Sequence, residues 1–291
     1  MGVTPPSGPR NFVRVFAALS LACVCVGCWV AAANGVPAGV WARNLGAWAV
    51  GVAMAALVGA ARGKAQVGFL LAAPLGVVTT FLGPGLSGVH RWALLGPVRI
   101  NMAEVLLPAA VVALAALSPG RVSTWLVAAA VTVLLVVQPD ASQATAFGGA
   151  VIVTLLLSHL GRAARWGGVA ATVVGIAGSW LRPDPLAPVP EVEGIFGLAW
   201  TLSPLVAVLA SVALAATALS PILAARDGAA TSRKASLALA VYFLLSAIAP
   251  ALGAFPVPLV GMGMSPILGS WLGAGLLAAL ARGLRTPSPS P

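Results

Sequence analysis

Residues 122–140 read VSTWLVAAAVTVLLVVQPD, an apolar run that Pro139 and Asp140 bring to an end. The run is a continuous Ala/Val/Leu stretch and lacks the alternation, over about ten residues, that marks a membrane-spanning strand. In lipid only helices and closed barrels satisfy their backbone hydrogen bonds. A helix needs roughly 20 apolar residues to cross about 30 Å of hydrocarbon. The stretch therefore predicts a short transmembrane helix, which Pro139 ends because proline has no N–H.

Apolar stretches of this kind occur ten times along the 291 residues. Hydrophobic residues make up 60% of the chain and charged residues only 8%, whereas about a quarter of an average soluble domain is charged. We therefore expect an all-α integral membrane protein, a bundle of about ten transmembrane helices. The stretches are residues 12–33, 45–61, 67–86, 104–118, 122–138, 144–160, 166–181, 200–224, 235–254 and 266–281.

The distribution of basic residues predicts the orientation of the chain. Ten crossings put both termini on one side, and the loops of that side carry twelve Lys and Arg, against four on the other side. The positive-inside rule then makes both termini cytoplasmic. The four outer residues are Arg43, Arg91, Arg99 and Arg182. We attribute the net charge of +10 to the basic residues that set the topology and that attract anionic membrane lipids. We expect no nucleic-acid partner, because no folded basic domain is predicted.

The chain is predicted to hold one domain. Residues 12–283 form a single polytopic membrane domain, with a longer outer loop near 182–199. Residues 1–11 and 284–291 are predicted to be disordered tails, because both ends are rich in Pro and Ser. We therefore expect a multi-pass membrane protein.

Two features that could suggest chemistry favour simpler interpretations. Cys23, Cys25 and Cys28 would fan around one helix at 100° per residue, away from any His or carboxylate, and are interpreted as small apolar residues. His159 lies at the cytoplasmic end of the sixth predicted helix and is interpreted as an interfacial residue.

The acidic residues indicate where chemistry is to be sought. Five of the six fall in loops or helix ends that the predicted topology places on the outer side. They are Glu104, Asp140, Asp184, Glu191 and Glu193. Two of them also have purely structural interpretations, since Glu104 suits the positive end of a helix dipole and Asp140 can cap the next helix.

Three outer segments carry recognisable motifs. Residues 88–104, GVHRWALLGPVRINMAE, place Arg91 and Trp92 ahead of Glu104 at a helix start, and residues 138–140 are Gln-Pro-Asp. Residues 256–265, PVPLVGMGMS, form a Pro/Gly-rich turn, and irregular backbone at membrane depth usually lines a cavity.

In this order the segments resemble the SEDS family, the FtsW/RodA/SpoVE peptidoglycan glycosyltransferases, over nearly the whole chain. The first resembles the family's R-W-x-x-L-G segment leading into Q-P-S-E-L, the second matches Q-P-D, and the third resembles P-x-P-F-[IV]-S-Y-G-G-S. Residues 193–196, Glu-Gly-Ile-Phe, align with the D-F-I-F segment that holds the family's catalytic carboxylate. The chain departs from the family at Leu107, where a Lys is usual, and at Thr201 and Leu202, where paired Glu residues are usual.

The resemblance implies that the chain is a multi-pass protein of the bacterial cytoplasmic membrane and polymerises lipid II at the outer face of that membrane, for division, elongation or sporulation. It implies Glu193 as the catalytic general base. The substrate-binding residues would be Arg91, Arg99, Glu104, Gln138, Asp140 and Ser265. No cofactor is certain, and a divalent cation such as Mg²⁺ held by Asp140 or Glu104 is left open. The implied partners are lipid II or a related polyprenyl-linked sugar and a single-spanning transpeptidase, a class B penicillin-binding protein.

Two alternatives belong to other functional classes. The chain could be a catalytically inactive SEDS-like scaffold for a transpeptidase, which would agree with the substituted Lys and Glu positions. It could also be a flippase or transporter of a lipid-linked substrate, in which Glu104 and Asp140 would be intramembrane binding groups.

Overall fold

The computed structural model describes residues 8–60, 65–96, 98–117, 122–225 and 229–283. These residues form mainly α-helices, together with one antiparallel hairpin. The helices are α1 (Gly8–Ala33), α2 (Ala38–Ala60), α3 (Ala65–Thr79), α4 (Met102–Leu117), α5 (Val122–Val137), α6 (Ala141–Leu156), α7 (Arg162–Trp180), α8 (Ile195–Leu202), α9 (Pro204–Leu219), α10 (Ala230–Ile248) and α11 (Met264–Gly283). The hairpin strands are β1 (Trp92–Leu95) and β2 (Val98–Asn101).

Every predicted apolar stretch coincides with helix, and the eighth, residues 200–224, is divided. Its first residues belong to α8, which ends at Leu202, and α9 begins at Pro204 after an extended Ser203. Proline suits the first turn of a helix because its missing N–H is not needed there. Within the described residues, six helical segments are long and apolar enough to cross a membrane. The helical membrane fold is confirmed, while the number of crossings and the side of the termini stay predictions.

The predicted tails fall largely outside the described residues. The first helix begins at Gly8, so residues 8–11 belong to it, and residues 1–7 and 284–291 are not described. Several basic residues used in the topology count are also not described. They are Arg62, Lys64, Arg121, Arg226 and Arg285.

Two buried helices, α4 and α11, form the centre of the bundle. Their contact depends on glycine, since a Cβ at Gly269 of α11 would overlap the carbonyl oxygen of Glu104 in α4. On its other side α11 packs against α2, where a Cβ at Gly275 would meet the backbone of Ala55. Membrane helices associate through such small residues, because lipid tails are as apolar as the helices themselves.

The peripheral helices α7 and α9 expose apolar side chains. Val174 of α7 is 71% exposed and Leu205 of α9 is 65% exposed. In water such surfaces would be costly, but lipid solvates them, so this pattern agrees with a protein embedded in a bilayer.

The motif segments meet at one end of the bundle. The turn before α11 bonds to the loop that precedes α8, through Val257 N–H to Val192 O at 3.2 Å and Met262 N–H to Glu191 O at 2.9 Å. The hairpin reaches the same place, because the Asn101 N–H donates to the Ser265 hydroxyl at 3.0 Å. Segments far apart in sequence are therefore fixed to one another by hydrogen bonds that backbone N–H groups donate.

Candidate active site

The guanidinium of Arg91 is the central cation of the site. Arg91 precedes β1 and is only 3% exposed. Its Nη2 donates to the Pro139 carbonyl and, at 2.6 Å, to Asp184 Oδ2. Its Nε lies 3.8 Å from Asp140 Oδ2, and its Cζ lies 5.7 Å from the centre of the Phe255 ring. One buried cation thus links the hairpin, the start of α6 and the long outer loop.

Asp140 has both of the roles weighed from sequence, as a helix cap and as a member of the charged cluster. Its Oδ1 accepts from the Gln143 N–H at 3.2 Å and from the Ser142 hydroxyl at 2.9 Å, which caps α6. Its Oδ2 faces Arg91 and accepts a long bond of 3.5 Å from the Asn101 amide. Because both oxygens already face donors, Asp140 is suited to fixing Arg91 rather than to accepting a substrate proton.

Glu104 begins α4 beside its capping residue, Asn101. The Asn101 Oδ1 accepts from the Ala103 N–H at 3.0 Å and the Glu104 N–H at 3.2 Å, which satisfies two free donors of the helix start. The Glu104 side chain is 7% exposed and lines two small cavities. One of these cavities, of about 30 Å³, is also lined by Gln143 and Tyr242, which are hydrogen-bonded to each other.

Gln138 lies outside the cavity around Arg91 and is bonded to neighbouring segments. It is fully buried, and its Nε2 donates to the Thr80 hydroxyl and to the His90 carbonyl, each at 2.6 Å. The bond to His90 fixes the residue next to Arg91. Gln138 does not line the cavity around Arg91, so its geometry is that of a positioning residue.

Glu193 approaches the cluster from the loop that precedes α8. Its Oε2 accepts from the Val189 N–H at 2.7 Å, and its side chain is half-buried. Burial raises the pKa of Glu193 above its ordinary value, while the Val189 N–H and the charge of Arg91 act in the opposite direction. One oxygen is thereby anchored, and the other has no hydrogen-bond partner among the described residues.

Charged groups from four segments surround one cavity of about 20 Å³. It is lined by Arg91, Glu104, Asp140 and Glu193, and its outer wall includes Leu186 of the long loop. A space of this volume has room for about one water molecule. Entry of a sugar would therefore require the outer loop to move.

The structure does not bring every predicted site residue to this cavity. Arg99 lies on β2 opposite Leu94 and is exposed, and Ser265 serves as the acceptor for β2 described above. Within the described ranges no three His, Cys, Asp or Glu side chains form a group that could hold a metal ion. A cation held by Glu104 or Asp140 would therefore have at most two such side-chain ligands among the described residues.

Two residues of the cluster were missing from the predicted site. Asp184 is the closest ionic partner of Arg91, although the sequence indicated only that it belongs to the acidic outer loop. Asn101 bridges Asp140 to the start of α4, and its position just before a helix is the preferred place for an N-cap asparagine. The capping rule could have identified Asn101, whereas no local signal pairs residues 91 and 184.

No family model and no curated protein matches the chain. Solved structures match it in fold, and two of them are of the rod shape-determining protein RodA, a SEDS protein, from Thermus thermophilus. An alanine-substituted RodA mutant is 18% identical with a TM-score of 0.68, covering 94% of this chain and 98% of its own. The chain has the SEDS-family fold. The unsubstituted RodA structure, also 18% identical, has a TM-score of 0.59 and covers 94% of this chain and 97% of its own.

A third match to the SEDS-family fold comes from a peptidoglycan synthase complex that coordinates polymerization and crosslinking. It is 20% identical, has a TM-score of 0.63, and covers 94% of this chain and 98% of its own. Together with the six span-length helical segments, the SEDS-family fold makes this chain a multi-pass membrane protein, as the composition predicted. The roles of Glu193 and Arg91 stay predictions.

Proposed function

We propose that the chain is a SEDS-type peptidoglycan glycosyltransferase that polymerises lipid II at the outer face of the bacterial cytoplasmic membrane. The observation that carries this proposal is the approach of the half-buried Glu193 carboxylate to a cavity that also contains Arg91. A carboxylate with a raised pKa beside a phosphate-binding cation is what a glycosyl transfer from a pyrophosphate requires.

The reaction joins two lipid-linked sugars. The 4-hydroxyl oxygen of the acceptor attacks the anomeric carbon of the donor, and a new C–O bond forms. The bond between that carbon and the pyrophosphate oxygen breaks, and the polyprenyl pyrophosphate leaves with the electron pair. The hydroxyl proton passes to the ionised carboxylate of Glu193, a contribution typically worth about 10²–10⁴-fold in rate.

Glu193 suits the role of base better than the two carboxylates beside it. Both oxygens of Asp140 face donors, and Glu104 is buried at the start of a central helix. Glu193 belongs instead to the loop that must move for a sugar to enter. Its anchored oxygen orients the carboxylate, and the second oxygen is available for the substrate hydroxyl.

Arg91 suits the leaving pyrophosphate because guanidinium matches phosphate oxygens in bidentate geometry. In this conformation Asp184 occupies that position, at 2.6 Å. We infer that pyrophosphate takes the place of Asp184 when the outer loop moves, so that Arg91 keeps an anionic partner throughout. Asp140 would hold the guanidinium in place during the exchange.

The same ion pair favours a second candidate, an inactive scaffold. A guanidinium whose Nη2 already donates to the Asp184 carboxylate and to the Pro139 carbonyl, beside a cavity with room for one water, would also describe a closed site. Such a protein would act by binding a single-spanning transpeptidase, a class B penicillin-binding protein.

The test is glycan synthesis by the purified protein together with any transpeptidase that copurifies. Wild type and Glu193→Gln are incubated with fluorescent lipid II, and glycan ladders are resolved on a gel. Glu191→Gln is the matched control, because Glu191 belongs to the same loop but does not line the cavity. We expect ladders from wild type and from the control, and none from Glu193→Gln. Equal ladders from all three would exclude Glu193 as the base, and no ladder from any well-folded sample would favour the scaffold.

A further inference from the structure

A second polar cavity lies at the other end of α6 from Asp140. It has a volume of about 440 Å³ and opens between the turn after α6 and the start of α10. Helix α6 has 16 residues, so the cavity is about 24 Å from the Arg91 cluster. In the predicted topology this end faces the cytoplasm. The cavity is thus separate from the proposed active site and near the opposite surface of the membrane.

Three basic side chains line this cavity. His159 comes from the turn after α6, and Arg233 and Lys234 come from the first turns of α10. His159 and Arg233 are exposed, whereas Lys234 is only 8% exposed. Each described carboxylate belongs to the outer segments, and Asp227 lies outside the described residues. The described lining therefore carries positive charge, to which the positive end of the α10 dipole adds.

The remaining lining residues give the cavity an apolar side. Leu157 and Leu237 line it and are 48% and 38% exposed. Thr231 adds a hydroxyl next to the cations. A ligand that satisfies the whole surface must have an anionic head for His159 and Arg233 and an apolar part for the two leucines.

We propose that this cavity binds the phosphate headgroup of an anionic phospholipid. Basic pockets between transmembrane helices near the cytoplasmic surface are suited to such headgroups, because the anionic inner leaflet supplies them at high concentration. Inorganic phosphate would satisfy the cations but would leave the leucines uncovered and most of the 440 Å³ unfilled. The site joins the turn after α6 to α10, so a bound lipid would hold these two elements together at the inner face.

The test measures binding of phosphatidylglycerol and phosphatidylcholine to the purified full-length protein by native mass spectrometry. The variant is His159→Gln/Arg233→Gln, and both residues are exposed, so folding should survive. The matched control, Arg14→Gln/Arg162→Gln, removes two cations from the same predicted side but outside the cavity. The conservative variant Arg233→Lys keeps the charge.

We expect phosphatidylglycerol to bind in preference to phosphatidylcholine. The variant should bind phosphatidylglycerol at least about fivefold more weakly, which corresponds to about 1 kcal/mol for the loss of the Arg233 cation near an anionic lipid, and the control should change by less than twofold. Arg233→Lys should keep most of the wild-type affinity, because it keeps the charge.

Three results would overturn the proposal. Unchanged binding by the variant would show that the cavity is not the site. An equal loss in the control would show a diffuse charge effect instead of a built site. Displacement of the lipid by millimolar inorganic phosphate would show an anion site without lipid specificity. None of these measurements depends on glycan synthesis, so the outcome is independent of the proposed activity.

Discussion

Removing the charge of Arg91 should destabilise the protein strongly, and the structure allows the size of the effect to be worked out. In Arg91→Met the guanidinium is lost, and Asp140, which is 1% exposed, is left buried without the cation that faces it. Breaking a buried ion pair by removing one partner costs about 3–5 kcal/mol. The side chain of Asp184 is 21% exposed and can turn to solvent, so we expect the lower end of this range, about 3 kcal/mol.

The assay is thermal unfolding in detergent, followed by the loss of monodisperse protein. For a chain of this size about 1 kcal/mol corresponds to roughly 2 °C, so Arg91→Met should unfold about 6 °C below wild type. The unfolding temperature of Arg91→Lys should lie between those of wild type and Arg91→Met, because ammonium keeps the charge but lacks the two separate nitrogens, Nη2 and Nε, that face Asp184 and Asp140. Arg99→Met is the matched control, since Arg99 is exposed on the same hairpin and should change the stability by less than about 0.5 kcal/mol.

A double-mutant cycle separates the ion pair from general damage. Arg91→Met and Asp184→Asn should be non-additive, with a coupling of about 0.5–3 kcal/mol, because each removes the same contact. If Arg91→Met and Arg99→Met unfolded at the same temperature, the burial of Arg91 as an ion-paired side chain would be refuted. Strict additivity of the two substitutions would refute its pairing with Asp184.

Three further predictions follow from single contacts. Because burial raises the pKa of Glu193, glycan synthesis should fall as the pH drops through a range above that in which an ordinary Glu titrates. The thermal stability of wild type should decrease as the pH rises through that same range, because the folded state binds the proton more tightly than the unfolded state does. Glu193→Gln should lack this dependence of stability on pH. Gly269→Ala should lower the free energy of unfolding by about 1–3 kcal/mol, since the added Cβ would overlap the α4 backbone. The control is Gly68→Ala, whose added Cβ would have no atom within 4 Å, and it should be neutral or slightly stabilising in the same thermal assay. Gln138→Ala should cost about 0.5–1.5 kcal/mol in thermal unfolding for each hydrogen bond it removes, those to the Thr80 hydroxyl and to the His90 carbonyl, and an unchanged melting temperature would contradict this role.

Much of the fold could be predicted because lipid makes the hydrophobic pattern easy to interpret. Apolar runs had to be helices, and each coincides with helix in the structure. The break at Ser203 was missed, although Ser followed by Pro204 is a helix-start signal, because hydropathy alone runs through it. The β1–β2 hairpin was also missed, since strands of four residues are too short to show a clear alternation.

For the site, the sequence could predict only the end of the bundle at which it lies. The motifs indicated that Arg91, Asp140 and Glu193 share one end, and hydrogen bonds between the outer segments bring them around one cavity. The pairing of Arg91 with Asp184 depends on the path of an irregular loop, which local sequence does not encode. The exposure of Arg99 depends on the hairpin register, which sets the face on which each side chain lies.

The charge balance around Arg91 is what connects this fold to chemistry. Four carboxylates, those of Glu104, Asp140, Asp184 and Glu193, contact Arg91 or line the cavity beside it. Such a cluster is a poor way to stabilise a membrane protein, because buried ion pairs seldom outperform apolar packing and charges near hydrocarbon are costly. A helix cap would need only Asp140, and a counter-ion for Arg91 would need only Asp184. Glu193 serves neither purpose, which is why its substitution is the most informative test of catalysis.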